Sequence, residues 1–261
     1  MTRIFLYIGF IVLFLASCSK YEKIRKSPDN NYKYRKALEY YNKKDYQRAT
    51  VLFDDVSTYF RATTKADSLN YYQAMSNYHL DFYIAAAEYF QLCYQNNPYS
   101  PFAEEAEYMV AYCYYLDSPV PSLDQESTAK SIELFGVFVK KHPQSSYLEK
   151  SKAYIEELQD KLVEKSYKSA KLYYDMKMYK SSVVALKSSL DDYPNTKYRE
   201  ELMWMVLKSN FLYAENSIES KKKDRYQSAL DEYYSYASEF PEGPHIGEAK
   251  KIFDISEKKV K

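Results

Sequence analysis

The sequence predicts an all-α array of helical hairpins, and three observations predict it. A nine-residue word, KYRKALEYY at 33–41, returns as NYYQAMSNY (70–78), EYMVAYCYY (107–115), SYKSAKLYY (166–174) and MVLKSNFLY (205–213). Its second residue is tyrosine in four of the five copies, its fifth is small in every copy, and its ninth is always tyrosine. Glycine is scarce, four in 261 residues, while Ala, Leu, Lys and Glu abound and no Val/Ile-rich alternation marks a strand. Finally, each word is followed by a second helical word, and four of the five pairs close on a proline. Proline stops a helix because it lacks an N–H donor and excludes α geometry from the residue before it.

The chain opens MTRIFLYIGFIVLFLASCSK. Arg3 supplies a positive start, and Ile4 to Ala16 is an almost unbroken apolar run. That run is shorter than the roughly 20 residues a bilayer span needs, and it suits the core of a secretory signal. It ends in Leu15-Ala16-Ser17-Cys18, which resembles the lipobox of bacterial lipoproteins. The resemblance implies that residues 1–17 are removed and that Cys18 becomes a lipidated N-terminus. Each buried methylene contributes about 0.8 kcal/mol, so two or three acyl chains anchor firmly where one would not. Residues 18–30, polar and charged beyond the cysteine, read as a tether.

The repeat region follows in order. The second words are YQRATVLFDDV (46–56), YIAAAEYFQLC (83–93), AKSIELFGVF (129–138), YKSSVVALKSSL (179–190) and YQSALDEYYSYA (226–237). In each, a small residue (Ala49, Ala86, Ser131, Ser182, Ala229) precedes a bulky one by four: Phe53, Phe90, Phe135, Leu186 and Tyr233. Small residues in both words let two helices approach closely, and the bulky side chain fills the gap. The closing prolines are Pro98, Pro143, Pro194 and Pro241, with Arg61 at the corresponding place in the first hairpin. This pattern resembles the tetratricopeptide repeat, best in the second hairpin at Ala74, Ala86, Phe90 and Pro98. The resemblance implies a superhelical solenoid of about five hairpins, each packed on its neighbours.

Departures from regular spacing divide the array. LDSPVPSLDQESTA (116–129) and AENSIESKKKDR (214–225) read as swollen turns, where binding often resides. SSYLEKSKAYIEELQDKLVEK (145–165) has no glycine or proline, and reads as one long helix from about 146 into 175. The predicted division is an N-terminal half, 31–145 with hairpins one to three, and a C-terminal half, 146–261 with the long helix and hairpins four and five.

Composition excludes several function classes. Lys and Arg number 37 against 36 Asp and Glu, so no global field selects nucleic acid. The runs Lys221-Lys222-Lys223 and Lys258-Lys259 read as solvated ends. Cys93 and Cys113 sit at inward-looking helix positions and read as core packing, although their places on neighbouring repeats leave a disulfide open. The three histidines (His79, His142, His245) fall in separate repeats, and no phosphate loop, HExxH or Cys/His ligand cluster appears. The expectation is a protein without catalysis, metal or cofactor.

Tyrosine is the outlier, 32 copies against a single tryptophan. The second, sixth and ninth places of each word lie four and three apart and share one helical face. In the tetratricopeptide fold the first helix of each hairpin lines the concave groove. The reading is therefore a peptide-binding groove paved by Tyr34, Tyr41, Tyr71, Tyr78, Tyr108, Tyr112 and Tyr115, with Tyr167 and Tyr174 on the matching face of the C-terminal half. Tyrosine offers a large apolar face and a hydroxyl at low entropy cost. The alternative for any one ring is that it braces adjacent repeats.

A lipobox followed by five such hairpins, with SYKSAKLYYDMKMYKSSVVALKSSLDDYPNTKYREE (166–201) as the most specific stretch, is similar to the BamD family of outer-membrane assembly lipoproteins. The resemblance implies a non-enzymatic part of the machine that folds β-barrel proteins, lipid-anchored on the outer membrane and facing the periplasm. On it, the N-terminal repeats receive unfolded outer-membrane protein segments. The C-terminal repeats hold a BamA-like central subunit, with Tyr167, Tyr174 and Arg199, just after Tyr-Pro-Asn-Thr, as contacts; other lipoproteins of the complex are further partners. Two alternatives stay open: a scaffold for cell-wall or division machinery, and a glycan-binding lipoprotein of the SusD type.

Overall fold

A computed structural model describes residues 20–261, and the lipobox, including Cys18, lies outside the described residues. A helical turn over residues 20–25 leads into α1 (Asn30–Asn42), α2 (Tyr46–Phe60), α3 (Ala66–His79), α4 (Tyr83–Asn96), α5 (Ala103–Asp117) and α6 (Glu126–Lys141). Then come α7 (Leu148–Asp175), α8 (Tyr179–Asp192), α9 (Arg199–Glu215), α10 (Glu219–Glu239) and α11 (Ile246–Val260). The fold is all-α, built of tetratricopeptide-type hairpins packed helix on neighbouring helix.

The repeated word is what makes the hairpins close. The small fifth residues Ala37, Ala74, Ala111 and Ser209 have no exposed surface, and Ala170 is nearly as enclosed. Ala49, Ala86, Ser131, Ser182 and Ala229 face them, equally buried, so backbones meet without a side chain between. Where the small residue is serine its hydroxyl finds a partner: Ser131 Oγ donates to Ala111 O at 2.9 Å, and Ser182 Oγ lies 2.9 Å from Ser209 Oγ. Phe53, Phe90, Phe135 and Leu186 fill the space beside them, all fully buried, while Tyr233 is only partly so.

Turns without glycine need an explanation, because they reverse the chain within three residues. Lys44, Asp81 and Lys177 supply it by adopting left-handed φ of 61°, 61° and 59°. The N–H that follows each then reaches back to an orphan helix carbonyl: Asp45 to Tyr40, Phe82 to Asn77 and Met178 to Tyr173, at 2.9–3.0 Å. The first hairpin, which lacks the closing proline, ends instead at a turn in which both Thr63 N and Thr63 Oγ1 donate to Phe60 O.

The chain divides into two compact units, one holding the residues up to Pro119 with Asp124–Leu158, the other Val120–Leu123 with Gln159–Lys261. The expected boundary at 145 thus falls later, inside α7, because Tyr147, Tyr154 and Ile155 pack into the core of the first unit. That first core gathers Phe90, Met109, Phe135 and Phe138 with Cys93 and Cys113, which are buried and free. A second cluster in the same unit gathers Leu52, Phe53, Val56, Phe60 and Leu69. The other unit is built around Leu186, Leu202, Trp204, Leu207, Tyr236 and Ile252.

Three expectations are corrected. Residues 20–25 are helical, with Tyr21 and Ile24, three apart, turned onto the Leu52–Leu69 cluster rather than loose as a tether. The swollen turn at 214–225 shrinks to 216–218, because α10 starts at Glu219 and takes in the lysine run. Arg225, stacked 3.8 Å from the Tyr213 ring centroid, and Tyr226, donating to Glu215, hold that extra length against α9. Finally α11 was not among the predicted words; Ala249, Ile252 and Ser256, spaced three and four apart, bury one face of it.

Candidate functional site

In the first unit, the second-place tyrosines tie one hairpin to the next. The Tyr34 hydroxyl lies 3.0 Å from Ser68 Oγ, 34 residues on. Tyr71 Oη donates to Glu105 Oε2 at 2.9 Å, again 34 residues on. Tyr34 is 7% exposed and packs on Phe53 and Phe60. Tyr108, 6% exposed, stacks on Tyr147 at 4.2 Å and touches Phe135 and Phe138. These two rings are core, and the groove reading is corrected there: their faces are already covered. Tyr71 is half-buried, stacked at 4.5 Å on Phe102. Desolvation, then the Glu105 carboxylate, raises its pKa, so the hydroxyl stays a donor.

The sixth- and ninth-place tyrosines are different. Tyr41, Tyr78, Tyr112 and Tyr115 keep part of each ring exposed. Tyr41 meets Tyr72 edge-on at 5.0 Å. Tyr78 lies 6.3 Å from Tyr112, which stacks on Tyr115 at 5.7 Å, and Tyr115 in turn lies 4.3 Å from Tyr154 of α7. The result is a connected aromatic strip crossing α3, α5 and α7, which Tyr41 of α1 joins through His79, whose ring lies 6.5 Å from Tyr41 and 5.3 Å from Tyr78. Tyr115 Oη donates to Glu157 at 2.9 Å. Burial pushes the phenols of Tyr41, Tyr112 and Tyr115 up to about 12, the last helped by Glu157. Tyr41, Tyr112 and Tyr115 therefore stay neutral at physiological pH, giving an apolar surface with hydroxyl donors at its edge. From sequence Tyr147 reads only as one of the recurring apolar positions of the long helix, with Leu148, Ile155, Leu158 and Leu162, and Tyr154 was not singled out; its place next to Ile155 in that pattern was the available signal.

In the second unit, Tyr167 stacks on Tyr198 at 4.0 Å, with its pKa raised by desolvation and by a hydrogen bond to Glu201. This repeats the 34-residue tie of the first unit. Tyr174 is half-buried against the Leu186–Trp204 core. Arg199 opens α9, where its charge opposes the positive end of the helix dipole. Glu239 answers it with two carboxylate oxygens, Nη2 to Oε2 at 2.9 Å, and Nη1 donates to Pro194 O at 3.0 Å. The pairing holds Glu239 below the usual carboxylate range. Beside the pair opens a cavity of about 500 Å³, floored by Leu190, Met203 and Val206 and edged by Lys187, Asp191 and Glu232. Arg199 is thus both an internal tie and part of a mixed apolar and charged rim.

Among the described residues no group of His, Cys, Asp or Glu is placed to hold a metal ion, and no helix is long and apolar enough to cross a membrane. His142 Nε2 lies 2.9 Å from Glu107, and His245 Nδ1 2.9 Å from Glu200 while stacking on Trp204. Both are ties between neighbouring repeats.

These features define a class: a helical-hairpin repeat protein offering a neutral aromatic strip in one unit and a charged, apolar-floored cavity in the other. The family follows from comparison. A family model described as outer membrane lipoprotein, YfiO, matches residues 26–225, and the chain belongs to that family. This fits the resemblance to the BamD family and a lipid-anchored place on the outer membrane. No curated protein matches the chain.

Proposed function

We propose that this chain is a non-enzymatic scaffold of an outer-membrane β-barrel assembly complex. Its second unit holds a BamA-like central subunit at the Arg199 cavity, and its first unit receives unfolded outer-membrane protein segments on the strip Tyr41, Tyr78, Tyr112, Tyr115. Membership in the outer membrane lipoprotein family carries the reading. The strip supports it, since neutral rings edged by hydroxyls suit varied extended segments whose backbones still need hydrogen bonds. Tyr71 contributes one ring face from the edge, Tyr34 and Tyr108 only support from beneath. Tyr167 and Tyr174 hold the cavity's helices in place. Anchoring is by lipid at Cys18, on the periplasmic side.

The test is affinity purification of a tagged copy, at native level, from detergent-solubilised outer membrane. A stoichiometric β-barrel protein with periplasmic domains is the expected companion. A cell-wall enzyme or a glycan importer in its place overturns the proposal.

A further inference from the structure

Residues 20–25 do not trail away from the fold. Tyr21 Oη donates to Arg48 O at 3.3 Å, its ring meets Tyr40 edge-on at 5.6 Å, and the Arg48 guanidinium lies 5.5 Å from the Tyr21 ring centroid. Ile24 is 9% exposed, and Arg25 lies 3.5 Å from Asp55. The docked turn closes a cavity of about 390 Å³ against α1. Four lysines line it, Lys20 and Lys23 from the turn, Lys36 and Lys43 from α1. Glu39 is the lone carboxylate of the lining and is held by Lys36 at 2.7 Å. Four positive charges less one negative leaves the lining at +3. No carboxylate among the described residues comes within ion-pair distance of Lys20, Lys23 or Lys43. Ile24, Tyr32 and Tyr40 supply an apolar and aromatic floor.

Covalent geometry adds where this cavity must be. Lys20 follows Cys18 by two residues, so even a fully extended chain keeps the two Cα atoms within about 7 Å. With acyl chains on Cys18, Lys20 is held at headgroup depth, inside one Debye length of the bilayer surface, and it is the corner of the cavity nearest the anchor in sequence.

We propose that this cavity is a binding site for the phosphate of an anionic phospholipid headgroup, taken from the same leaflet that holds the anchor. Lys20, Lys23 and Lys43 meet the phosphate oxygens. Lys36 stays with Glu39 and fixes the wall. Ile24, Tyr32 and Tyr40 receive the glycerol and the first methylenes. The acyl anchor holds the chain to the membrane, while the site sets which face of α1 turns toward it. The inference rests on the Cys18 anchor and not on any assembly partner, so loss of the companion proteins above leaves it intact.

The test uses the full chain, purified from membranes in neutral detergent and placed in nanodiscs of phosphatidylcholine alone or with phosphatidylglycerol. Amines are acetylated for a short interval and read by peptide mass spectrometry. Lys20, Lys23 and Lys43 are expected to react about fivefold more slowly in the anionic discs, with Lys26 and Lys33, on the same stretch but outside the cavity, little changed. The variant Lys23→Gln with Lys43→Gln is expected to abolish the protection of Lys20 at unchanged circular dichroism. Equal rates in both discs, or equal protection of Lys26 and Lys33, overturns the site. Protection by inorganic phosphate added to neutral discs, to the same degree, overturns the lipid as its source. A chain that elutes free of both discs overturns the anchor and this site with it.

Discussion

The tyrosines of the first unit make its stability sensitive to alkali. Burial is the main cause that lifts Tyr21, Tyr41, Tyr112 and Tyr115 from 10.0 to about 12. A phenol whose folded pKa lies above its unfolded value stabilises the fold fully below the unfolded pKa. The contribution is lost as pH rises from there through the folded pKa, because the unfolded chain releases the proton first. At about pH 11 each such group has lost roughly 1.4 kcal/mol, and four together roughly 5 to 6. Solvent reaches part of every ring, which about halves the sum to roughly 3 kcal/mol. Tyr71 and Tyr108, raised further, add to it. By about pH 12 the same halved sum reaches roughly 5 kcal/mol, which against a typical stability of about 5–15 kcal/mol brings cooperative unfolding to about pH 12. The assay follows helical circular dichroism and phenolate absorbance in one titration, where both should change together and steeply. If the phenols ionise independently near pH 10 while helicity stays flat to about pH 12, burial does not hold them neutral, and the strip is more open than its packing implies.

Other outcomes follow from single contacts. Tyr71→Phe keeps the stack on Phe102 but removes the donor to Glu105, and is expected to cost about 1–2 kcal/mol in urea denaturation. Lys44→Gly and Lys177→Gly relieve left-handed backbone at non-glycine residues, and each should raise stability by about 0.5–1 kcal/mol in the same assay. Gly243→Ala would set a Cβ 2.8 Å from Tyr236 Oη and 3.0 Å from Phe240 Cβ, so a loss of about 1–3 kcal/mol is expected on thermal unfolding. Arg199→Ala, on a partly exposed ion pair, should change melting by less than about 1 kcal/mol yet reduce recovery of the barrel companion in the purification above; unchanged recovery removes Arg199 from the proposed contacts.

How far each feature could be read in advance tracks how local its cause is. A small fifth residue, a bulky one after it and a closing proline act within one hairpin, so the spacing of Ala74, Ala86, Phe90 and Pro98 was enough to fix helix identity and order. The lysine run at 221–223 misled, because a charged stretch without glycine or proline serves as loop or helix until Arg225 and Tyr226 find Tyr213 and Glu215 on α9. Helix α11 escaped notice for the converse reason: its buried face of Ala249, Ile252 and Ser256 is weakly apolar and gains meaning only against α9 and α10.

Periodicity and helix-stopping residues act within short stretches of chain, so the all-α array of hairpins, most of the breaks between them and the family could be read from the residues alone. Which tyrosines are mortar and which are surface was decided only by tertiary structure. Tyr34, Tyr108 and Tyr115 hold equivalent faces of the same word. Yet the first two are closed over by Phe60 and Tyr147, whereas the last stands at the edge with Glu157 as its partner. The covering groups come from the next element in the stack, more than a hairpin's length along the chain in some cases, and no spacing within the word encodes them.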